Sequence, residues 1–260
     1  MIEVSHITKI YKVEKKDRKK DKKAEKVAVK DLSFTANNGE IFCLLGPNGA
    51  GKTTTLRCIA TLLRQTEGSI TVEGFDTVKD ADDVRRNIAF LTNEIKLDDF
   101  FTPDYLFDYF GKLRGIEKSV LAERKKELFS YLGINEFADK RIKELSTGMK
   151  QKTAIAVSLV HDPKVVIFDE PTNGLDIITA RLVTDYLKKL RDDGKVVIVS
   201  THIMSEAERL GDRVAFIING GCAFCGEFSE IYEQTGTDNL EDAFFAMYKE
   251  ITEGAENADH

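Results

Sequence analysis

The chain is 260 residues long, 42% hydrophobic and carries a formal net charge of −6. That length supports one large domain, or one domain with a subdomain. The net charge sets the chain as a whole apart from nucleic-acid binders.

Taken in chain order, residues 1–11, "MIEVSHITKIY", read as a strand without a secretory signal, because no basic start followed by an apolar stretch is present. Residues 12–26 hold nine Lys or Arg and four acids. This run reads either as a solvated turn or as a contact for an anionic lipid surface. "VAVKDLSFTA" (27–36) alternates again and is expected to pair with the first strand. "GEIFCLLG" (39–46) is an apolar strand feeding a glycine-rich loop, and "KTTTLRCIATLL" (52–63) has helical spacing. "GSITVEG" (68–74) and "NIAFLT" (87–92) are further strand candidates.

Residues 103–140 change character: apolar residues recur at three and four spacing, which predicts an inserted helical subdomain over about 98–160. Its aromatic residues read as packing or, in part, as a docking face. After residue 145, helices alternate with the apolar runs "KVVIFDE", "KVVIVSTH" and "DRVAFIING". That alternation predicts an α/β fold with a mostly parallel central sheet covered on both faces. "NLEDAFFAMYKEI" (239–251) reads as an amphipathic helix, followed by an acidic, frayed end. Cys43 and Cys58 sit in an apolar run and a predicted helix. Cys222 and Cys225 form a lone C-x-x-C two ligands short of a zinc site, so they read as structural. No segment approaches 18 uninterrupted apolar residues, and the chain is expected to be cytosolic.

Two segments carry phosphate chemistry. "GPNGAGKTT" (46–54: Gly46, Pro47, Asn48, Gly49, Ala50, Gly51, Lys52, Thr53, Thr54) matches G-x-x-x-x-G-K-[ST] between a strand and a helix. The glycines let successive N–H groups turn inward toward phosphate. Lys52 would reach the β- and γ-phosphates, and the Thr53 hydroxyl would hold Mg²⁺. "LSTGMKQK" (145–152) opens a second helix on Ser146 and Gly148 with no carboxylate nearby, another anion-binding start.

Asp169 ends the strand "VVIFD", at the edge where ligands bind in such sheets, and can hold Mg²⁺ directly or through water. Glu170 follows it, and Pro171 steers Glu170 away from the right-handed helical region. There Glu170 reads as a base for water, or as a capping group. His202 ends another strand and reads as a γ-phosphate contact or as a satisfied polar group. Tyr11 offers a flat face for an adenine ring, or is a strand-end aromatic.

In this order, "GPNGAGKTT", "LSTGMKQK", "VVIFDE", "PTNGLD" and "STH" resemble the nucleotide-binding subunit of an ABC transporter over roughly residues 1–225. The resemblance implies a P-loop NTPase with an N-terminal antiparallel β subdomain, an ATPase using ATP and Mg²⁺, and residues 226–260 as a C-terminal helical extension. Tyr11 is then the adenine-stacking aromatic, and Ser146 and Gly148 are the signature pair that faces ATP held by a second subunit. Thr53 and Asp169 are the metal ligands, and Glu170, His202 and Lys52 are catalytic. Asp176 matches the aspartate that links the two sites.

Asn93 stands where the family usually has glutamine, which leaves direct metal contact from that position in doubt. Implied partners are a second nucleotide-binding subunit, most simply a second copy of this chain, and integral membrane permease subunits, with no nucleic acid. The implied location is the cytoplasmic face of the membrane. "LSTGM", "FLTNE" and "LEDAFFAM" are similar to exporter ATPases of sodium-efflux and antibiotic-efflux systems. The alternative is a soluble regulatory ATPase of the same type without a transport partner.

Overall fold

The structure is a computed structural model and describes residues 1–12, 25–92 and 96–258. The basic run falls largely outside the described residues, as do Asn93 and Glu94. The elements in chain order are β1 (Ile2–Lys12), β2 (Glu25–Ala36), β3 (Glu40–Leu45), α1 (Lys52–Ile59), β4 (Glu67–Val72), β5 (Phe75–Asp76), α2 (Ala81–Asn87) and β6 (Ile88–Leu91). There follow α3 (Pro103–Leu113), α4 (Lys118–Leu132), α5 (Thr147–Ser158), β7 (Val165–Asp169), α6 (Ile177–Asp192), β8 (Val196–Thr201) and α7 (Met204–Leu210). The chain closes with β9 (Arg213–Ile218), β10 (Gly221–Glu227), α8 (Phe228–Thr235) and α9 (Leu240–Ala258).

The central sheet has the order β10-β9-β3-β8-β7-β6 and is parallel except where β10 pairs with β9. Alternation along its strands decides what each face buries. Ile41, Cys43, Leu45, Val166, Phe168, Val197 and Val199 pack with the helices. Phe42, Leu44, Val165, Ile167, Val196 and Ile198 pack with α1 and the N-terminal sheet. Burial of each large side chain is worth about 1.5–3 kcal/mol. A one-residue slip would therefore exchange two cores at once. The N-terminal sheet is antiparallel, order β2-β1-β4-β5. Tyr11 pairs with Lys26, and Lys12 with Glu25, at the mouth of the basic run.

The helix expected over 52–63 ends at Ile59. Thr61 turns left-handed at φ +62, its hydroxyl accepts a hydrogen bond from Arg85 at 3.0 Å, and Thr66 N–H donates to Thr8 O at 2.7 Å. Pairing of the following strand with β1 overrides the helical spacing. At the other end, α9 extends to Ala258 where the sequence reading stopped at 251. Lys249 and Glu253 pair at 3.7 Å one turn apart where that extension begins. Phe244 of α9 is buried edge-on against Phe216, with ring centroids 5.3 Å apart, so this helix packs into the main core. No helix among the described residues is long and apolar enough to cross a membrane.

His161 ties the chain after α5 to β6, with Nε2 placed 3.0 Å from Ile88 O. Burial and the Arg114 guanidinium push its pKa down to about 4 from 6.5. Between those values the unfolded chain binds a proton that the folded chain refuses, so stability rises with pH. Wild-type protein is expected to lose stability progressively as pH falls from about 6.5 to 4, and His161→Gln to lose less across that window. Urea unfolding at each pH measures this, and identical pH slopes for the two proteins would refute it.

Candidate functional site

The loop after β3 is shaped by where a side chain cannot go. A Cβ at Gly46 would lie 2.2 Å from Ile217 O, and one at Gly51, with φ +109, would lie 2.5 Å from Ala28 O. Neighbouring strands thus press the loop so closely that only glycine fits. Gly51 caps α1 without a side-chain bond, and no acid stands in the first turn, so the helix start keeps its N–H groups for an anion.

Lys52 is nearly buried. Its Nζ arches over the loop to Gly46 O at 2.6 Å and Pro47 O at 3.1 Å. Burial pushes its pKa down, opposed by the charges of Glu170 and Asp169. An ammonium so placed, with two carboxylates near, belongs to a site built for a polyanion and its counter-cation.

Asp169 is 9% exposed. It accepts from the Thr53 hydroxyl at 2.7 Å and from the Ser200 hydroxyl. A hydroxyl and a carboxylate beside a phosphate-type loop are the oxygen donor set that suits Mg²⁺, so these residues fit the cation. Glu170 leaves strand geometry altogether: its φ is +51, a conformation costing a non-glycine residue on the order of 1–3 kcal/mol. The turn is held by Glu170 N–H to Ser200 O at 3.0 Å and Asn173 N–H to Glu170 O at 3.2 Å. His202 Nδ1 lies 2.8 Å from one carboxylate oxygen of Glu170, and Asn173 donates to the other at 3.1 Å. An ionised carboxylate only accepts, so Nδ1 carries the hydrogen.

Tyr11 lines a cleft of about 300 Å³ together with Asn48, Gly49, Gly51, Lys52, Thr53, Thr54 and Glu170. The fold thus brings an aromatic face, the glycine-rich loop, the Thr53–Asp169 pair and the Glu170 carboxylate to one place. Pro47, Asn48 and His202 line a second groove on the other flank of the loop. Ser146 and Gly148 line neither cleft. Ser146 is exposed and caps α5, its hydroxyl accepting from Met149 N–H at 3.3 Å. Gly148 abuts Thr179 and Asp176: a Cβ there would lie 3.1 Å from the Thr179 hydroxyl. Asp176 caps α6 by accepting from Ile178 and Thr179 N–H at 3.0 Å each.

Four supporting residues escaped the sequence reading. Ser200, the first residue of "STH", lies in register with Asp169 across β7 and β8, a position readable only once strand order is known. Asn173 and Gln151 are the second and third; Gln151 donates to Pro171 O at 3.0 Å and ties α5 to the Glu170 turn. Buried Glu206 is the fourth, accepting from Thr201 at 2.8 Å and from Thr172.

The family profile described as ABC transporter matches residues 29–173. The chain is 39% identical over 220 residues to the ABC transporter ATP-binding protein NatA of Bacillus subtilis (strain 168), covering 84% of this chain and 89% of that protein. It is 35% identical over 216 residues to the linearmycin resistance ATP-binding protein LnrL of the same organism, covering 83% and 70%. Among solved structures, a dimeric form of the ATP-binding cassette MJ0796 superposes with a TM-score of 0.75 at 29% identity, covering 87% of this chain and 98% of that one.

Glu206→Ala leaves the Thr172 and Thr201 hydroxyls without their acceptor. It is expected to cost about 1–3 kcal/mol of stability, with Glu206→Gln costing less. Chemical unfolding reads both, and an unchanged Glu206→Ala midpoint would contradict the bridge.

Proposed function

Because this chain belongs to the ABC transporter family as an ATP-binding subunit, we propose that two copies clamp ATP and Mg²⁺ between them and that hydrolysis drives export through separate membrane subunits. The observation that carries this reading is the split site. Tyr11, Gly46–Thr54, Asp169 and Glu170 converge within one chain, while Ser146 and Gly148 stand apart at an exposed helix start. A second copy supplies that helix start to the γ-phosphate.

In this reading Tyr11 stacks on the base, and the loop N–H groups and Lys52 hold the phosphates. Thr53 and Asp169 would hold Mg²⁺, which would supply positive charge to offset that of the phosphates. Glu170, fixed by His202 and Asn173, orients and deprotonates the attacking water. The Ser146 helix start adds donors where charge accumulates on the transferring group. The Gln151 link to Pro171 couples arrival of that helix to the Glu170 turn.

The transport half of the reading draws on the relatives, a NatA-type protein and a resistance ATPase, and on an apolar groove of about 520 Å³ between β6, α3 and α5. Phe101, just before α3, and Tyr105 and Tyr109 on it form a partly exposed ladder, with centroids 4.6 and 6.0 Å apart. This suits an apolar segment of a membrane subunit, and the proposed location, at the cytoplasmic face of the membrane, follows from that reading.

Glu170→Gln is expected to bind ATP, accumulate as a closed dimer and turn over about 10²–10⁴-fold more slowly. Normal hydrolysis would refute the role of Glu170. Ser146→Arg should abolish ATPase activity in steady-state assays yet leave nucleotide binding by the monomer intact. Lost monomer binding would show that Ser146 serves its own chain.

A further inference from the structure

Two of the four cysteines are sealed away. Cys43 and Cys58 are fully buried, and burial pushes both thiols up, Cys58 to about 11. Such thiols are inert. Cys222 and Cys225 on β10 are only half-buried, and neither is in a disulfide. Residues three apart in a regular strand point to opposite faces. Here the pairing with β9 slips: Cys222 opposes Ile217, Phe224 opposes Phe216 and Cys225 opposes Ala215. The extra residue, Ala223, is a bulge that returns both cysteines to one face. They pack with the core shared by α1 and the N-terminal sheet, whereas Ala223 and Phe224 pack with the helices.

The two thiols meet on that face. The Cys222 thiol has one hydrogen, which serves either Phe224 O at 3.1 Å or Cys225 Sγ. Donation to Cys225 holds that second thiol below its ordinary range, against burial and the carboxylates of Glu40 and Glu230, and Arg213 helps. Cys222 is pushed up by the same contact and by burial. One thiol is thus the nucleophile and the other its proton-bearing partner, as closure of a dithiol requires.

We propose that Cys222 and Cys225 are a modification site that a hydroperoxide closes to a disulfide, and that closure loosens the phosphate loop's hold on nucleotide. With hydrogen peroxide, the Cys225 thiolate attacks the O–O bond; a sulfenic acid forms and the other oxygen leaves as water with the proton Cys225 gave up. The Cys222 sulfur then attacks the sulfenic sulfur. The S–S bond forms, the S–O bond breaks, and a second water leaves with the Cys222 proton. Two thiols lose two electrons, and the peroxide is reduced to two waters.

The hairpin that carries the pair also braces the loop. Cys222 opposes Ile217, whose carbonyl presses so close to Gly46 that a Cβ there would lie 2.2 Å away. Gly220 N–H donates to Ala50 O at 3.0 Å, and Gly220 O accepts from Lys30 N–H at 2.8 Å. A covalent bond draws the sulfurs closer than a hydrogen bond does, so closure pulls β10 in at the bulge and moves Ile217 and Gly220 against the loop. Packing this close leaves no slack to absorb the shift. The effect on nucleotide rests on the reading that the loop holds ATP; the disulfide itself does not.

The test treats the full chain with hydrogen peroxide, then alkylates and digests it for mass spectrometry. The peptide spanning Cys222 and Cys225 is expected to lose two hydrogens and resist alkylation, while Cys43 and Cys58 stay reduced. Binding of a fluorescent ATP analogue should weaken at least about fivefold and recover with dithiothreitol. Cys222→Ser and Cys225→Ser should each bind the analogue like reduced wild type, before and after peroxide. A disulfide linking two copies, oxidation to sulfonic acid, or two unmodified thiols overturns the site. An intramolecular disulfide with unchanged affinity, or an equal loss in the serine variants, overturns the transmitted effect. Reduced protein that binds no analogue overturns the ATP reading and the transmitted effect with it, and the mass signature then decides the dithiol.

Discussion

One carboxylate holds the site together. Asp169 sits almost out of water at the end of a central strand, where an ionised group is stable only when its lone pairs are matched. The hydroxyls of Thr53, at the start of α1, and Ser200, at the end of β8, supply that match. Three elements from distant parts of the chain are thereby fixed at the same edge of the sheet. The phosphate loop, the adjoining Glu170 turn and His202 inherit their positions from this arrangement.

The next constraint is backbone strain. Glu170 occupies the left-handed region directly before a proline, and the surrounding bonds to Ser200, Asn173 and His202 offset the cost. Strain of this kind persists where a side chain must be aimed. The same turn carries Pro171, whose carbonyl receives Gln151 from α5. The start of α5 and the Glu170 carboxylate are thus mechanically joined, and in the proposed sandwich this joint is the physical route by which closure of two copies governs hydrolysis.

The fold class was legible because the central strands are uninterrupted apolar runs alternating with helical periods, which admits little but a covered parallel sheet. The phosphate loop was legible because its glycines and lysine have fixed spacing. Less was readable at the edges. Strand β10 follows Asn219 and Gly220, both with positive φ, a hairpin signal present in "NG" that the Cys-containing sequence after it obscured. The early end of α1 depends on pairing with β1, which no local period encodes. Ser200, Glu206 and Gln151 act through partners 31, 34 and 20 residues away, so their roles appear only once the strands are ordered. Glu170 could be given a departure from strand geometry from its proline neighbour, although the left-handed conformation itself required the structure.

The central claim is that each ATP site is completed by a second copy. Mixing two inactive proteins, Lys52→Ala and Ser146→Arg, tests it most directly. Each alone has both sites disabled, whereas the mixed dimer joins an intact phosphate loop from one copy to an intact Ser146 helix start from the other. The account predicts that ATPase activity reappears on mixing. No activity in the mixture, with mixed dimers demonstrably formed, would contradict it.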